Sequence, residues 1–139
     1  MNELPSQARV VIIGGGVVGV SCAYHLAKAG WTDCVLLEKN ELTAGSTWHA
    51  AGNVPTFSTS WSIMNMQRYS TELYSNLGDE VDYPMNYNVT GSIRLGHSKE
   101  RMQEFQRAKG MGLYQGMNIE ILDNSEIKKL YPFIETHEI

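Results

Sequence analysis

Apolar residues along this chain change period twice within the first forty positions, and each change marks an element. Arg9-Val10-Val11-Ile12-Ile13 is a continuous β-branched run that stops at glycine, the pattern of a central parallel strand covered on both faces. From Val17 to Ala29 the period turns helical, with Val17, Val20, Tyr24 and Ala27 on one stripe, widened by Ala23 and Leu26. Gly30 stands where a helix ends in the left-handed conformation. Cys34-Val35-Leu36-Leu37-Glu38 is a second apolar run, closed by a charge. Strand, helix and strand within about thirty residues predict a βαβ unit.

The pattern then weakens. Thr43-Ala44-Gly45-Ser46-Thr47-Trp48-His49-Ala50-Ala51-Gly52 is rich in small residues and has neither period. Ser60 predicts the cap of a helix to about Leu77, with Met66, Tyr69, Leu73 and Leu77 on one stripe and Gly78-Asp79 closing it. Val89 to Leu95 predicts a strand, Ser98 to Met111 a polar surface helix, and Asn118 to Leu122 another strand. Asp123-Asn124-Ser125 caps a short helix that Pro132 stops.

Composition narrows the classes. The chain has 139 residues, 42% hydrophobic and 19% charged, with a net charge of −4. That length suits one compact domain and is short for a cofactor domain plus a substrate domain, so the chain reads as the N-terminal portion of something longer. The mild negative balance argues against nucleic acid or an anionic membrane as partner. No apolar stretch reaches the roughly eighteen residues that a bilayer span needs. The polar start from Met1 to Arg9 lacks the apolar core of a secretory signal and the Arg-rich character of a transit peptide. The location expected is cytoplasmic, or the mitochondrial matrix if the source is eukaryotic. Cys22 and Cys34, each in an apolar run, are expected to be reduced, buried thiols.

The chemistry starts at Gly14-Gly15-Gly16-Val17-Val18-Gly19, a G-x-G-x-x-G run between a predicted strand and a predicted helix. Gly14 permits the tight turn, Gly16 lets the backbone approach a pyrophosphate, and Gly19 lets the helix lie close to the strand. The first turn of such a helix offers unpaired N–H groups and roughly half a positive charge to phosphates. Glu38 ends the second strand, nineteen residues past Gly19. A carboxylate there accepts hydrogen bonds from ribose hydroxyls and repels a 2′-phosphate. These features indicate a dinucleotide and do not choose between FAD and NAD. The segment from Glu41 to Gly52 does lean one way: a plain NAD domain continues into another helix and strand, whereas small residues here can track the longer FAD.

Gly14 to Gly19, Leu36-Leu37-Glu38-Lys39 and Gly45-Ser46-Thr47-Trp48-His49-Ala50-Ala51-Gly52 together resemble the dimethylglycine dehydrogenase and sarcosine dehydrogenase family, within the D-amino-acid-oxidase-like flavoproteins. The likeness extends through Gly91-Ser92-Ile93-Arg94-Leu95 and Glu126 to Pro132, nearly the whole chain, and the segment through His49 is its most specific part. The resemblance implies an α/β fold: a Rossmann-like βαβ FAD-binding region over residues 1–85, followed over 86–139 by the beginning of an α+β substrate-binding region. It implies FAD bonded covalently to His49. By the same match Gly14, Gly16, Val17, Val18 and Gly19 lie at the pyrophosphate, Glu38 and Lys39 at the adenosine end. Gly45, Ser46, Thr47, Trp48, His49, Ala50, Ala51, Gly52 and Asn53 line the FAD path. It further implies oxidative N-demethylation of a small methylated amine, with hydride passing to the flavin and formaldehyde released. Electrons would go to O2 or an electron-transfer flavoprotein, and a tetrahydrofolate-binding region would lie C-terminal to these residues. No catalytic residue is assigned within the chain, since the groups orienting the amine are expected beyond Ile139.

Two rivals follow from the same residues. A non-catalytic relative of the pyruvate dehydrogenase phosphatase regulatory type would keep the fold, but His49 is unexpected in it. An NAD-dependent dehydrogenase would not need the Gly45 to Gly52 segment. Other signals read as structural. Trp61, Met64, Met66, Tyr69, Tyr74 and Tyr83 sit at helical spacing and suit a core better than an aromatic box. Arg68 and Arg94 are expected to be solvated or structural rather than partners of a substrate carboxylate. Lys128 and Lys129 suit a helix C-terminus. His25, His97 and His137 have no chemical context, and no metal cluster, Ser-His-Asp set or P-loop is present in the sequence.

Overall fold

The computed structural model describes residues 5–137. Its elements run β1 (Val10–Ile13), α1 (Val17–Lys28), β2 (Cys34–Leu37), α2 (Trp61–Glu80), α3 (Lys99–Tyr114) and α4 (Asn124–Leu130). The chain divides into two compact units, one ending at Asn53 and the other beginning at Val54.

In the first unit β1 and β2 lie side by side in parallel, with Val10 opposite Cys34 and Ile13 opposite Leu37. Parallel neighbours need a crossover, and α1 supplies it, packed on both strands. This is the predicted βαβ start of a Rossmann-like α/β fold. The backbone N–H groups of Arg9 and Val10 both donate to Asp33 O, and the Arg9 guanidinium stands 3.7 Å from the Trp31 ring centroid. The start of β1 is thereby fastened to the turn before β2. Gly30 takes φ 81°, the left-handed helix end the sequence indicates.

Burial departs from the sequence pattern. The strands read as covered on both faces, yet Val11 is 53% and Ile13 86% exposed while Val10 and Ile12 are half-buried. A two-stranded sheet with one helix in its unit covers one face, so burial alternates with the pleat. The half-buried positions of α1 are Gly19, Ser21, Ala23, Tyr24, His25 and Leu26; of the predicted stripe Tyr24 is half-buried, whereas Val17, Val20 and Ala27 are exposed. A side chain at Gly19 would meet the Gly14 carbonyl and Ile12, so glycine there lets this face lie against the end of β1. Both cysteines are free, and Cys22 is exposed because no further layer of this unit covers α1.

In the second unit α2 starts after Ser60, which stands at the N-cap but makes no side-chain capping hydrogen bond, and it runs on through Gly78 and Asp79 to Glu80. Val81 N–H still bonds to Leu77 O, and the left-handed residue that follows the helix is Asp82, φ 50°, rather than glycine. Met64 is the buried residue of α2, while Met66 and Tyr69 are exposed, so the buried stripe starts two residues earlier than expected. Ser98 caps α3 by accepting Arg101 N–H at 3.2 Å. Asp123 caps α4 in a reciprocal box: its Oδ1 accepts Ser125 and Glu126 N–H, and the Glu126 carboxylate accepts Asp123 N–H. The predicted strands at Val89 to Leu95 and Asn118 to Leu122 are not formed; no ladder pairs them among the described residues, and a strand is stable only as one member of a pair. Among the described residues no helix is long and apolar enough to cross a membrane.

Candidate functional site

The loop from β1 into α1 is folded against the end of β2. Gly14 N–H donates to Leu37 O at 2.8 Å, one step past the last ladder pair. Gly14 then turns at φ 105°, a conformation that only glycine adopts without strain. A Cβ at Gly19 would collide with the Gly14 carbonyl oxygen and lie 3.3 Å from Ile12 Cγ2. The third motif glycine therefore governs how closely α1 approaches β1. Gly16 is the N-cap of α1 and offers no side chain to it. The first-turn N–H groups of Val17, Val18 and Gly19 accordingly have no acceptor within the helix.

Glu38 reaches back to this loop. Its Oε2 accepts Gly15 N–H at 2.6 Å and its Oε1 accepts Asn40 N–H at 2.9 Å. The Gly15 hydrogen bond, and then that of Asn40, hold the carboxyl below its ordinary value of 4.5, against an opposing desolvation. Gly15 had no role in the motif. A Cβ there would lie 2.5 Å from Leu42 Cδ2 and 3.1 Å from Glu38 Cβ, so it is glycine to let β2 and the following turn close over it. The sequence signal was the middle glycine of an unbroken row of three.

Residues 43–50 form a succession of tight turns. Gly45 O accepts Trp48 N–H, Ser46 O accepts His49 N–H, and Thr47 O accepts Ala50 N–H, all at 3.2 Å. Two hydrogen bonds seat this segment on the glycine loop. Thr43 N–H donates to Gly15 O at 3.0 Å, and Val17 N–H donates to Thr47 Oγ1 at 2.9 Å. A Cβ at Gly16 would stand 3.1 Å from the same Thr47 oxygen. Thr43 adopts φ 67°, unfavourable for a β-branched residue, to make the first of these contacts. His49 is exposed, and its Nδ1 lies 3.0 Å from Gly45 O. A carbonyl oxygen only accepts, so Nδ1 is the ring nitrogen that donates here, and Nε2 takes no part in the contact.

The structure thus gathers Gly14 to Gly19, Glu38 and Thr47, with His49 two residues beyond. Lys39, Gly45, Ser46, Trp48, Ala50, Ala51, Gly52 and Asn53 are all exposed. The aromatic residues of α2 do not form one box: Trp61 pairs with Tyr114, Tyr74 stacks on Tyr87, and Met64 is core. Arg68 donates to Gln115 Oε1, and the Arg94 guanidinium lies 5.3 Å from the Phe57 ring centroid. Among the described residues no group of three or more His, Cys, Asp or Glu side chains could hold a metal ion.

The sequence profile of the family described as FAD dependent oxidoreductase matches residues 9–138. The chain belongs to that family. It is 42% identical over 99% of its length to rat (Rattus norvegicus) mitochondrial dimethylglycine dehydrogenase, and 40% identical over 98% to the mouse (Mus musculus) mitochondrial pyruvate dehydrogenase phosphatase regulatory subunit. In each case it spans 16% of the relative's length. The fold is similar to part of the L-amino acid deaminase from Proteus vulgaris, with a TM-score of 0.78 at 17% identity over 93% of this chain and 31% of that one. Membership of an FAD family decides between the dinucleotides that the glycine loop left open.

Proposed function

We propose that the full-length protein oxidises a methylated glycine or related amine at an FAD that these residues hold, with His49 as its covalent attachment point. The observation that supports this best is the seating of the His49-bearing turn on the amide end of α1. The residues fit the cofactor. Gly14 and Gly16 leave the loop without side chains, and beside Val17, whose N–H is held by Thr47, the N–H groups of Val18 and Gly19 meet the pyrophosphate. Glu38 accepts the ribose hydroxyls with lone pairs that Gly15 and Asn40 do not use, beside Lys39. Gly45 to Asn53 follow the ligand, and His49 presents Nε2 to it. FAD, when bound, supplies the hydride acceptor, and the chain's part is orientation.

On this reading residues 1–85 belong to the FAD-binding region and 86–139 begin the substrate-binding region. Product formaldehyde, capture of the carbon by tetrahydrofolate outside these residues, and O2 or an electron-transfer flavoprotein as acceptor complete it. The location is the mitochondrial matrix or the cytoplasm. A second reading, a non-catalytic regulatory protein, has the 40% identity to the mouse regulatory subunit behind it but is not favoured, because the chain is also similar to dimethylglycine dehydrogenase, 4-methylaminobutanoate oxidase and sarcosine dehydrogenase.

Acid precipitation of the full-length protein tests both. A yellow, fluorescent pellet from the wild type and a colourless one from His49→Ala is expected. A colourless wild-type pellet with FAD in the supernatant overturns the attachment. Bleaching of the flavin by dimethylglycine, sarcosine or a methylaminobutyrate supports the enzyme, and no bleaching by any amine supports the regulatory protein.

A further inference from the structure

We propose that Thr47 is a positioning residue for flavin attachment: its hydroxyl latches the His49-bearing turn to the first amide of α1. The inference rests on the attachment at His49 proposed above. Two hydrogen bonds seat the turn on the glycine loop. One, from Thr43 N–H to Gly15 O, is entirely backbone. The other, from Val17 N–H to Thr47 Oγ1 at 2.9 Å, depends on a side chain thirty residues away along the sequence. Gly16 leaves room for that hydroxyl. From Thr47 the orientation passes to the imidazole through the turn itself. Gly45 O receives both Trp48 N–H and His49 Nδ1, while Ser46 O receives His49 N–H. A turn held at Thr47 therefore points Nε2 in one direction, and a turn released there lets it wander. The latch also leaves the Thr47 O–H proton unspent, since the oxygen serves Val17 as an acceptor.

Attachment forms a bond between Nε2 and the 8α carbon of the flavin. One hydrogen leaves the imidazole and one the methyl carbon. Both would leave as protons, and the two electrons of the broken C–H bond would pass through the flavin to dioxygen, giving hydrogen peroxide and leaving the flavin oxidised. Reactive geometry must be held closely for such a step, and small displacements of the nucleophile lower its rate strongly.

The test uses full-length apoprotein mixed with FAD, with acid-stable flavin followed over time at several FAD concentrations. Thr47→Val keeps the shape and removes the hydroxyl; Thr47→Ser keeps the hydroxyl. The expected result is that Thr47→Val lowers the attachment rate at saturating FAD roughly tenfold or more, while Thr47→Ser stays within about threefold of the wild type. FAD affinity, measured by fluorescence quenching in a His49→Ala background, should change less than the rate. A wild-type rate for Thr47→Val overturns the proposal. So does a defect that vanishes at saturating FAD, which would make Thr47 a binding contact only. A wild type with no acid-stable flavin overturns the His49 attachment itself and removes this inference with it.

Discussion

The backbone amide of Gly15 donates to Glu38 Oε2 at 2.6 Å, so the carboxylate at the end of β2 braces the glycine loop as well as facing the ligand. One side chain thereby links two parts of the dinucleotide signature that lie twenty-three residues apart in sequence. Its second oxygen is occupied by Asn40 N–H. Glu38→Gln should therefore do more than remove a charge. An amide has one oxygen, so one of these two N–H donors must face an NH2 group. FAD affinity in the His49→Ala background should fall roughly tenfold or more, as for loss of a charge-assisted hydrogen bond. Fluorescence quenching measures it, and an unchanged affinity would show that Glu38 neither braces nor binds.

The same carboxylate gives the site a pH dependence of defined sign. Its pKa in the folded chain lies below the ordinary 4.5, chiefly because of Gly15 N–H. A lowered value means that the bracing is complete above 4.5 and is lost as the pH falls through the folded value. FAD affinity should thus be flat from neutrality down to about pH 5 and fall only in the acid range below. The Glu38→Gln variant should lack that acid limb, which separates Glu38 from the carboxylates elsewhere in the chain.

The sequence carried the βαβ start because each of its parts has a local cause. A β-branched run, a glycine turn, a helical period and a second apolar run follow one another, and the structure has β1, α1 and β2 in that order. Gly14, Gly19 and Gly30 also do what their positions indicate, since positive φ and close approach are local demands. What was illegible depends on partners. Val11 and Ile13 read as core, but the sheet face they occupy is uncovered within the unit. Val89 to Leu95 reads as a strand from composition, yet composition does not supply a neighbour to pair with. The clasp between Thr47 and Val17 was hidden for the same reason. A threonine in a small-residue loop carries no mark of the amide it will meet.

The reciprocal cap on α4 gives a prediction independent of the cofactor. Asp123 Oδ1 accepts two N–H groups, and Glu126 returns the bond. The Glu126 N–H and the Ser125 hydroxyl lead the interactions that hold the Asp123 carboxyl below its usual range. Asp123→Ala should expose the first turn of this seven-residue helix, which is too short to persist without its cap. Hydrogen exchange at Ser125 to Ile127 should accelerate at least tenfold, a rough figure for loss of a helix cap. Asp123→Asn, which keeps the acceptor oxygen, should preserve most of the protection. Equal exchange in Asp123→Ala and the wild type would mean that packing of Ile127, 5% exposed, holds α4 without the cap.

Gly19 and Gly110 provide a matched pair of helical glycines with opposite expected outcomes. In an exposed helix, replacing glycine by alanine stabilises by about 0.5–1 kcal/mol, because alanine has less backbone freedom to lose. Gly110 lies within α3 and a Cβ there meets nothing within 4 Å, so Gly110→Ala should show that gain. Gly19 lies in α1, where the same gain is available, but its added Cβ would overlap the Gly14 carbonyl and press on Ile12. Backbone cannot step aside as a flexible side chain can. Overpacking of this kind costs about 3 kcal/mol and exceeds the helical gain. Gly19→Ala should therefore lower the unfolding midpoint and weaken FAD binding together, since the helix must lift from β1 and carry its first-turn amides with it. Gly110→Ala should raise the midpoint slightly and leave FAD binding unchanged. If both variants behaved alike, the close approach of α1 to Gly14 would not be what requires glycine at position 19.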